Sequence, residues 1–300
     1  MVMVTTSKKL DLKRTGRKAK TFVVPENTNI VSVIGADTYL GAHMIKHLSA
    51  YAKTVYGFPQ EKDFKFSAKP ITEHRENRLA FPPHPILSDW LFVCIDPRIG
   101  FQKYTSRIWK LYEYLSKQSF HGELCLFSSL EVCRDELIST ESPIDPCSEE
   151  VVCLATAENI LRMMQYQVGN DVSPHIIRVG DVYGDEIGLN NIPGIINGFV
   201  HEAELNHTIS DLGMAWRTFT HISDVCNRTV KHMSTGICPD IAVIPGENMT
   251  IREAAKIIAE RYDVPLYQKS NLLVDVITAE NERAELKFTL KSWVKKRVLV

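Results

Sequence analysis

A glycine-containing turn is the segment of this sequence whose spacing points most directly to ligand binding. The residues from Gly35 to Gly41 read GADTYLG and stand between a β-branched apolar run, 30–34, and a helix-length segment that begins at Tyr39. In such a strand–turn–helix unit, backbone N–H groups and the positive end of the helix dipole can bind a pyrophosphate. Glycine also serves strand–helix connections for geometry alone, so this motif by itself leaves both interpretations open.

Hydroxyl and carboxyl groups follow other predicted strands. Ser128 and Ser129 come after the predicted strand 123–127, and Asp96 comes after the predicted strand 90–95. The carboxyl ends of parallel strands lie at one edge of a sheet, and ligands bind in the crevice outside that edge. Serine at a strand end is also an ordinary turn residue, and so is an Asp that precedes a proline. Both interpretations stay open for these residues.

The elements that would position these residues follow a regular order. Short apolar runs alternate with helix-length segments from residue 29 onward, which predicts a parallel α/β sheet, and this rhythm changes after residue 184. The sequence therefore predicts a Rossmann-like doubly wound domain over 29–184 and 222–246. We expect a smaller, discontinuous substrate domain over 185–221 and 247–300, and a basic N-terminal extension over 1–28.

Six segments carry a resemblance to a known family. GADTYLGAH (35–43) resembles the GxxGxxG turn of the extended short-chain dehydrogenase/reductases, the nucleotide-sugar epimerase/dehydratase group. Five further segments resemble motifs of that family in the same order: FSSLEV (127–132), ATAEN (155–159), IIRVGDVYG (176–184, family RPxNVYG), WRTFTHISDV (216–225, family RDFxHVxDV) and AVIPGENMTIREAAKIIAE (242–260). Partial matches in one order along most of the chain are much more specific than any single match.

The resemblance implies a nicotinamide cofactor, NAD or NADP, and a nucleotide-sugar across the cleft. The residues at matching cofactor positions are Gly35, Asp37, Thr38, Tyr39, Leu40, Gly41, Phe58 and Asp96. The residues at matching substrate positions are Ser128, Arg178, Tyr183 and Arg217. Arg217 corresponds to an Arg that contacts the substrate diphosphate, a role that suits a guanidinium group. Ser129 corresponds to the catalytic hydroxyl that bonds the substrate oxygen.

Two departures from the family pattern concern the cofactor. Thr38 stands where the family has its second Gly, which lets the backbone approach the pyrophosphate. Its side chain must point away or displace the phosphate, although its hydroxyl could also donate to a phosphate. The second predicted strand ends in the residues GFPQ (57–60), without the acid that the family often carries for the adenosine ribose. The usual reason to choose between NAD and NADP is therefore absent.

A third departure concerns catalysis. Counted back from Glu158, the family's Tyr falls at Glu150 and its Lys at Leu154. That chemistry needs a Tyr as proton shuttle and a Lys four residues later, on the same helix face, which lowers the pKa of the Tyr and holds the nicotinamide ribose. No Tyr in this sequence has a Lys at that offset. Glu150 is the candidate acid/base, or it is a first-turn acid that favours the helix dipole.

Two functions follow from these observations. One is a divergent epimerase, dehydratase or reductase with weak, altered or absent redox activity. The other is a non-catalytic protein that keeps the fold as a ligand sensor or as a scaffold for a partner. His221 and Asp224 are expected to make domain-connecting hydrogen bonds rather than to catalyse. The resemblance also implies a possible homodimer through the helices 104–119 and 149–168, where Met163, Met164 and Tyr166 belong either to that surface or to the core.

Composition and charge bear on other classes of protein. The 300 residues carry a net charge of −1, but Lys and Arg dominate residues 1–28. A basic arm can bind nucleic acid, whereas a solvated terminus is the more ordinary interpretation, so nucleic-acid binding stays a minor alternative. The 7 Cys contain no CxxC pair, which argues against a disulfide framework and predicts no metal site. Without a long apolar run or a signal-peptide stretch, we expect a cytoplasmic protein with no membrane partner.

Overall fold

The computed structural model describes residues 30–60, 88–117, 120, 122–165, 172–185, 194–234, 241–273, 276–280 and 286–297. The predicted basic extension and Tyr166 lie outside these residues.

The helices are α1 (Tyr39–Leu48), α2 (Phe101–Lys117), α3 (Glu149–Gln165), α4 (Ile195–Asn206), α5 (Ile222–Ser234), α6 (Ile251–Tyr262) and α7 (Leu290–Lys296). The strands are β1 (Ile30–Ile34), β2 (Thr54–Phe58), β3 (Trp90–Val93), β4 (Glu123–Ser129), β5 (Leu137–Ile138), β6 (Ser173–Val179), β7 (Asp181–Tyr183), β8 (Ile209–Gly213), β9 (Trp216–His221), β10 (Ile241–Val243), β11 (Glu247–Thr250), β12 (Leu266–Leu273) and β13 (Val276–Ala279).

The largest sheet is parallel throughout. Its strand order is β10-β6-β4-β3-β1-β2, and each of its strand pairs is parallel. Both faces are buried, which explains why its strands are nearly continuous apolar runs. One face packs against α2 and α3, with Leu126 and Leu154 in the shared core. The other packs against α1 and α5, with Met44, Phe127 and Val225 in the shared core. The predicted doubly wound, Rossmann-like α/β fold is therefore confirmed.

A second body of structure is built from the later elements. A further apolar core contains residues of α4, α6, α7 and β8, including Phe199, Ile258 and Trp293. A second sheet has the order β11-β9-β13-β5, with β7 also paired to β9, and a two-stranded sheet joins β12 to β8. The predicted domain boundary at residue 184 thus falls directly after β7, a strand that pairs within the second sheet.

The chain passes from the first sheet to the second at a point where two backbone segments lie very close together. Gly180 separates β6 from β7, and a Cβ atom there would overlap the carbonyl oxygen of Thr218 on β9. Glycine is therefore required where the two backbones approach so closely. This close approach brings the carboxyl end of β6 next to β9.

Among the helices of the described residues, none combines the length and the apolar character needed to span a membrane.

Candidate functional site

The glycine turn joins β1 to α1 in a conformation that requires both glycines. Gly35 has a φ of 81°, and its N–H and that of Ala36 both donate to the carbonyl of Phe58, at 2.8 and 3.0 Å. A Cβ on Gly35 would lie 2.5 Å from the carbonyl oxygen of Cys94, and one on Gly41 would overlap the carbonyl oxygen of Gly35. The turn therefore lies tightly against the ends of β2 and β3, with α1 beginning directly behind it.

Thr38 caps α1 from inside this turn. Its Oγ1 accepts a hydrogen bond from the Gly41 N–H at 3.0 Å and lies 2.7 Å from the carbonyl oxygen of Gly35. It also lies 2.9 Å from the carbonyl oxygen of Cys94, so the hydroxyl proton is held by one or both of these carbonyls. The side chain is buried. Of the alternatives that the sequence left open, the structure places the Thr38 side chain inward, with its hydroxyl engaged within the protein.

A chain of polar contacts connects the ends of β1, β2 and β3. Asp37 Oδ1 accepts a hydrogen bond from the Gln60 N–H at 2.6 Å, and Gln60 Oε1 accepts one from the Asp96 N–H at 2.9 Å. The Asp96 carboxylate in turn accepts from Arg98, whose Nε lies 3.0 Å from both of its oxygens. Asp96 therefore compensates the charge of Arg98. Asp37 precedes α1 in the sequence, but its carboxylate lies beside the residues that follow β2.

The side chains of Phe58, Tyr39 and Leu40 pack in or against the two cores of the first sheet. Phe58 belongs to the core beneath α2 and α3, and Tyr39 belongs to the core beneath α1 and α5, where Leu40 packs against it. Phe58 contributes its carbonyl group to the glycine turn rather than its side chain.

A small pocket opens where β4 ends and the second sheet begins. Its lining residues are Ser129, Leu130, Glu131, Gly180, Asp181, Arg217, Thr218 and Ile277. The volume is about 90 Å³. Because an engineered cavity of about 150 Å³ holds benzene, this pocket has room for a small polar group of about the size of a phosphate, and the rest of a nucleotide would lie outside it. The structure thus brings together two predicted site residues, Ser129 and Arg217.

Sequence reasoning missed two carboxyl groups in this pocket, those of Glu131 and Asp181. Asp181 could have been found, because it stands where the family motif RPxNVYG has Asn. Glu131 lies in a short 3₁₀ turn, Leu130–Val132, that follows β4, and its N–H donates to Ser129 Oγ at 3.1 Å. Nothing in the sequence pattern indicated that this turn faces Arg217.

The pocket contains one basic side chain, Arg217, and two acidic side chains, Glu131 and Asp181. Arg217 is buried, its Nη1 donates to the Trp216 carbonyl at 2.8 Å, and its Nε lies 4.0 Å from Glu131 Oε1. Burial, followed by the negative charge of Glu131, raises the pKa of Asp181 to about 7, although the positive charge of Arg217 acts to lower it. The pocket therefore combines a guanidinium group, a carboxylate and a carboxyl group that titrates near neutral pH.

Arg178 lies in the core and does not line the pocket. Its Nε and Nη2 donate to the two carboxylate oxygens of Glu158, at 3.1 and 2.9 Å. Its Nη1 lies 3.1 Å from Cys133 Sγ and 3.4 Å from the Ser142 carbonyl oxygen. Both partners of the ion pair are fully buried. The donors of Arg178 are therefore engaged inside the protein, which is a positioning role rather than contact with a ligand.

Tyr183 and Ser128 are also buried. The Tyr183 ring packs against His221 and Trp293, with ring centroids 5.3 and 5.2 Å away. Ser128 lies at the carboxyl end of β4 with its hydroxyl buried, and this hydroxyl has no hydrogen-bond partner among the described residues. An unpaired buried hydroxyl costs free energy that a ligand group or a water molecule would recover. Neither residue lines the pocket.

The positions that correspond to the family's Tyr and Lys lie on the first turns of α3. Glu150 is exposed there, whereas Leu154 is buried in the core that α3 shares with the first sheet. Neither lines the pocket beside Ser129. Within the described ranges, no three His, Cys, Asp or Glu side chains come together as a possible metal site.

No family model and no curated protein sequence matches this chain. Solved structures do match. One is TunA, an NAD-dependent NDP-hexosamine 5,6-dehydratase involved in tunicamycin biosynthesis. It has 14% sequence identity to this chain and a TM-score of 0.69, and the match covers 89% of this chain and 95% of that one. MoeE5 in complex with UDP-glucuronic acid and NAD has 17% identity and a TM-score of 0.67, covering 90% and 97%.

A third solved structure, RMD from Pseudomonas aeruginosa complexed with NADPH, has 16% identity and a TM-score of 0.68, covering 89% of this chain and 97% of that one. Identities this low show a shared fold. All three similarities extend over most of both chains, and the neighbours include NAD-dependent dehydratases and UDP-galactose 4-epimerase. The chain therefore has the fold of the extended short-chain dehydrogenase/reductases, as the collinear motifs of its sequence predict.

Proposed function

We propose that this protein is a divergent relative of the nucleotide-sugar epimerases and dehydratases that binds a nicotinamide dinucleotide and a nucleotide-sugar, with weak or absent redox activity. The burial of Leu154 carries the proposal. A Leu in the core cannot donate a hydrogen bond to a ribose or stabilise a phenolate, which are the tasks of the Lys at this position in the family. Glu150, at the matching Tyr position, is exposed to water.

The edge of the first sheet fits the diphosphate of a dinucleotide. Gly35 and Gly41 keep the turn compact, and α1 begins there with its positive dipole end. Because the Thr38 side chain is held inside the turn, it does not displace a phosphate. The buried Ser128 hydroxyl supplies a further polar group at this edge. When bound, a nicotinamide cofactor would supply hydride transfer, but Glu150 and Leu154 stand where the family has the Tyr and Lys that accompany this chemistry.

Asp37 favours NAD over NADP. Its Oδ1 is bonded to the Gln60 N–H, so the carboxylate stands beside the end of β2, while its Oδ2 has no partner among the described residues. This oxygen is available to a ribose hydroxyl, whereas a 2′-phosphate would meet a like charge. Arg98 does not offset this repulsion because Asp96 already holds its guanidinium group.

The proposed weakness or absence of redox activity can be tested by incubating the protein with NAD and a panel of nucleotide-sugars. We expect no accumulation of reduced cofactor and no change in the sugar, because no group at position 154 holds the nicotinamide ribose. Ready turnover would contradict the proposal. If any activity is found, it is measured again in Glu150→Gln and in the matched control Glu260→Gln, which changes another exposed Glu. A selective loss in Glu150→Gln would assign Glu150 as an unconventional acid/base.

The same observations support a second candidate, a non-catalytic ligand sensor or a scaffold for a partner. With either function we propose a homodimer through α2 and α3, as the family resemblance implies. Trp109 and Met163 on these helices are large apolar side chains exposed to solvent, which supports it. The basic extension supports nucleic-acid binding only as a minor alternative. That alternative predicts salt-dependent binding that is lost when residues 1–20 are deleted.

A further inference from the structure

The acidic side chains in the pocket beside Ser129 disfavour the binding of an anion. Among its described lining residues, Arg217 supplies a positive charge, and Glu131 and Asp181 each supply a carboxyl group. Glu131 Oε1 lies 4.0 Å from Arg217 Nε, so the guanidinium charge is already opposed within the protein. A diphosphate that binds Arg217 must therefore approach two carboxyl groups at the same time.

Asp181 is the group whose charge can change. It follows Gly180 at the start of β7, where its backbone pairs with Phe219 on β9. The charged groups that act on it are Glu131, from the 3₁₀ turn after β4, and Arg217, from β9. Because burial and Glu131 outweigh Arg217, the Asp181 pKa of about 7 lies in the range where cells and buffers operate. A diphosphate esterified at both ends has no proton of its own to lose there.

We propose that this pocket is a proton-coupled site for a diphosphate ester, which binds Arg217 when Asp181 is protonated and is excluded when Asp181 is ionised. The inference rests on the proposed function, because it takes the nucleotide-sugar as the ligand. It adds that the protonation state of Asp181 controls the binding of this ligand, which we call the charge selection. With Asp181 protonated, the charges of Arg217 and Glu131 balance among the described lining residues, so the diphosphate can bind the guanidinium group without net repulsion from them. With Asp181 ionised, these lining residues carry a net negative charge, and like charges repel strongly in a poorly solvated site.

Calorimetric titration of the full chain with UDP-glucose tests this coupling. From the Asp181 pKa, the acid is protonated in about nine of ten molecules at about pH 6 and in about one of ten at about pH 8. We therefore expect the affinity to fall about tenfold between these conditions. Asp181→Asn should bind with the same affinity at both, and at about pH 8 more tightly than the wild type. Asp263→Asn, at the exposed C-cap of α6, is the matched control and should keep the wild-type dependence.

A second variant separates proton coupling from altered folding. Glu131→Gln removes the neighbouring negative charge and should move the midpoint of the pH dependence to lower pH, because Glu131 raises the pKa of Asp181. A merely structural role for Asp181 would leave that midpoint in place. Equal wild-type affinity at both pH values would overturn the proposal. So would a pH dependence that persists in Asp181→Asn, or a failure of every variant to bind UDP-glucose.

Arg217→Ala distinguishes failure of this inference from failure of the proposed function. If Arg217→Ala weakens binding while the wild type shows no pH dependence, only the charge selection is wrong. If Arg217→Ala binds UDP-glucose as tightly as the wild type, the substrate position in the proposed function is wrong as well. Titration with NADH tests the dinucleotide part independently of both outcomes.

Discussion

At the scale of single residues, the partners of a charged group decide its role. Arg178 and Arg217 both align with family motifs, and both are buried. Arg178 donates to both carboxylate oxygens of Glu158, whereas Arg217 lines a pocket, where its Nε lies 4.0 Å from Glu131 Oε1. The motifs alone did not distinguish a core ion pair from a ligand site, because they record positions in the chain and not the side chains that fold against them.

Removing Arg178 should destabilise the protein strongly. Arg178→Met leaves the Glu158 carboxylate buried without its partner, which costs about 3–5 kcal/mol of the free energy of unfolding. Denaturant-induced unfolding measures this loss. The matched control is Arg134→Met, because Arg134 pairs with Asp145 at 3.3 Å on the exposed surface. This pair should contribute about 0–1 kcal/mol. Similar losses in both variants would contradict the core role of Arg178.

Thr38 gives a second prediction at this scale. Thr38→Val keeps the shape of the side chain but removes the oxygen that caps α1, so it should lower the free energy of unfolding by about 1–2 kcal/mol. Thr38→Ser keeps the capping oxygen and should cost clearly less in the same denaturation experiment. A Thr38→Val variant as stable as Thr38→Ser would show that the capping bonds are not the reason for Thr at this position.

At the scale of elements, local pattern predicted the first sheet better than the second. The run 30–34 is β1, and the predicted helix that begins at Glu149 is α3. Strands β8 and β9 follow each other closely in the chain, but each pairs with strands distant in the sequence and not with the other. Buried parallel strands are apolar runs visible in the sequence. The partners of short, mixed strands depend on tertiary contacts that no local pattern records.

His221, at the end of β9, illustrates how the later elements are held together. Its ring centroid lies 4.3 Å from that of Phe288, and its Nδ1 accepts from the Ser223 N–H at 3.2 Å. Asp224 accepts from the N–H groups of Lys287 and Phe288, which fits the connecting role expected of both residues. These contacts attach the segment before α7 to α5.

Burial lowers the pKa of His221 to about 4, below the value of about 6.5 for an unfolded chain. The unfolded state therefore binds more protons between these values, and the stability that His221 contributes above pH 6.5 is lost as the pH falls towards 4. His221→Phe keeps a ring but cannot titrate, so its unfolding free energy should fall less steeply over this range. His201→Gln, on the exposed side of α4, is the control. An unchanged slope in His221→Phe would contradict this account.

At the scale of the whole molecule, the predicted dimer can be tested directly. Trp109 on α2 is 43% exposed and Met163 on α3 is 48% exposed, and these two helices pack side by side. Trp109→Glu should convert a dimer to a monomer in size-exclusion chromatography with light scattering. Leu205→Glu on α4, where Leu205 is 64% exposed, should leave the dimer intact. A monomeric wild-type protein would contradict the prediction.

The doubly wound architecture could be predicted from the sequence because alternating apolar runs and helix-length segments leave few other arrangements. The site was predictable only in part. Ser129 and Arg217 were identified by motif and share a pocket, whereas the opposing charges of Glu131 and Asp181 depend on how β7, β9 and the 3₁₀ turn meet. Such contacts join residues far apart in the chain.

The most direct test of the central claim is fluorescence titration of the purified protein with NADH and NADPH. We expect saturable binding of NADH, about tenfold or more tighter than that of NADPH, because Asp37 repels a 2′-phosphate. Asp37→Asn should reduce this preference, whereas Asp263→Asn should not. If neither dinucleotide bound at millimolar concentration, the claim that this fold retains its cofactor site would be contradicted, leaving the scaffold as the function to pursue.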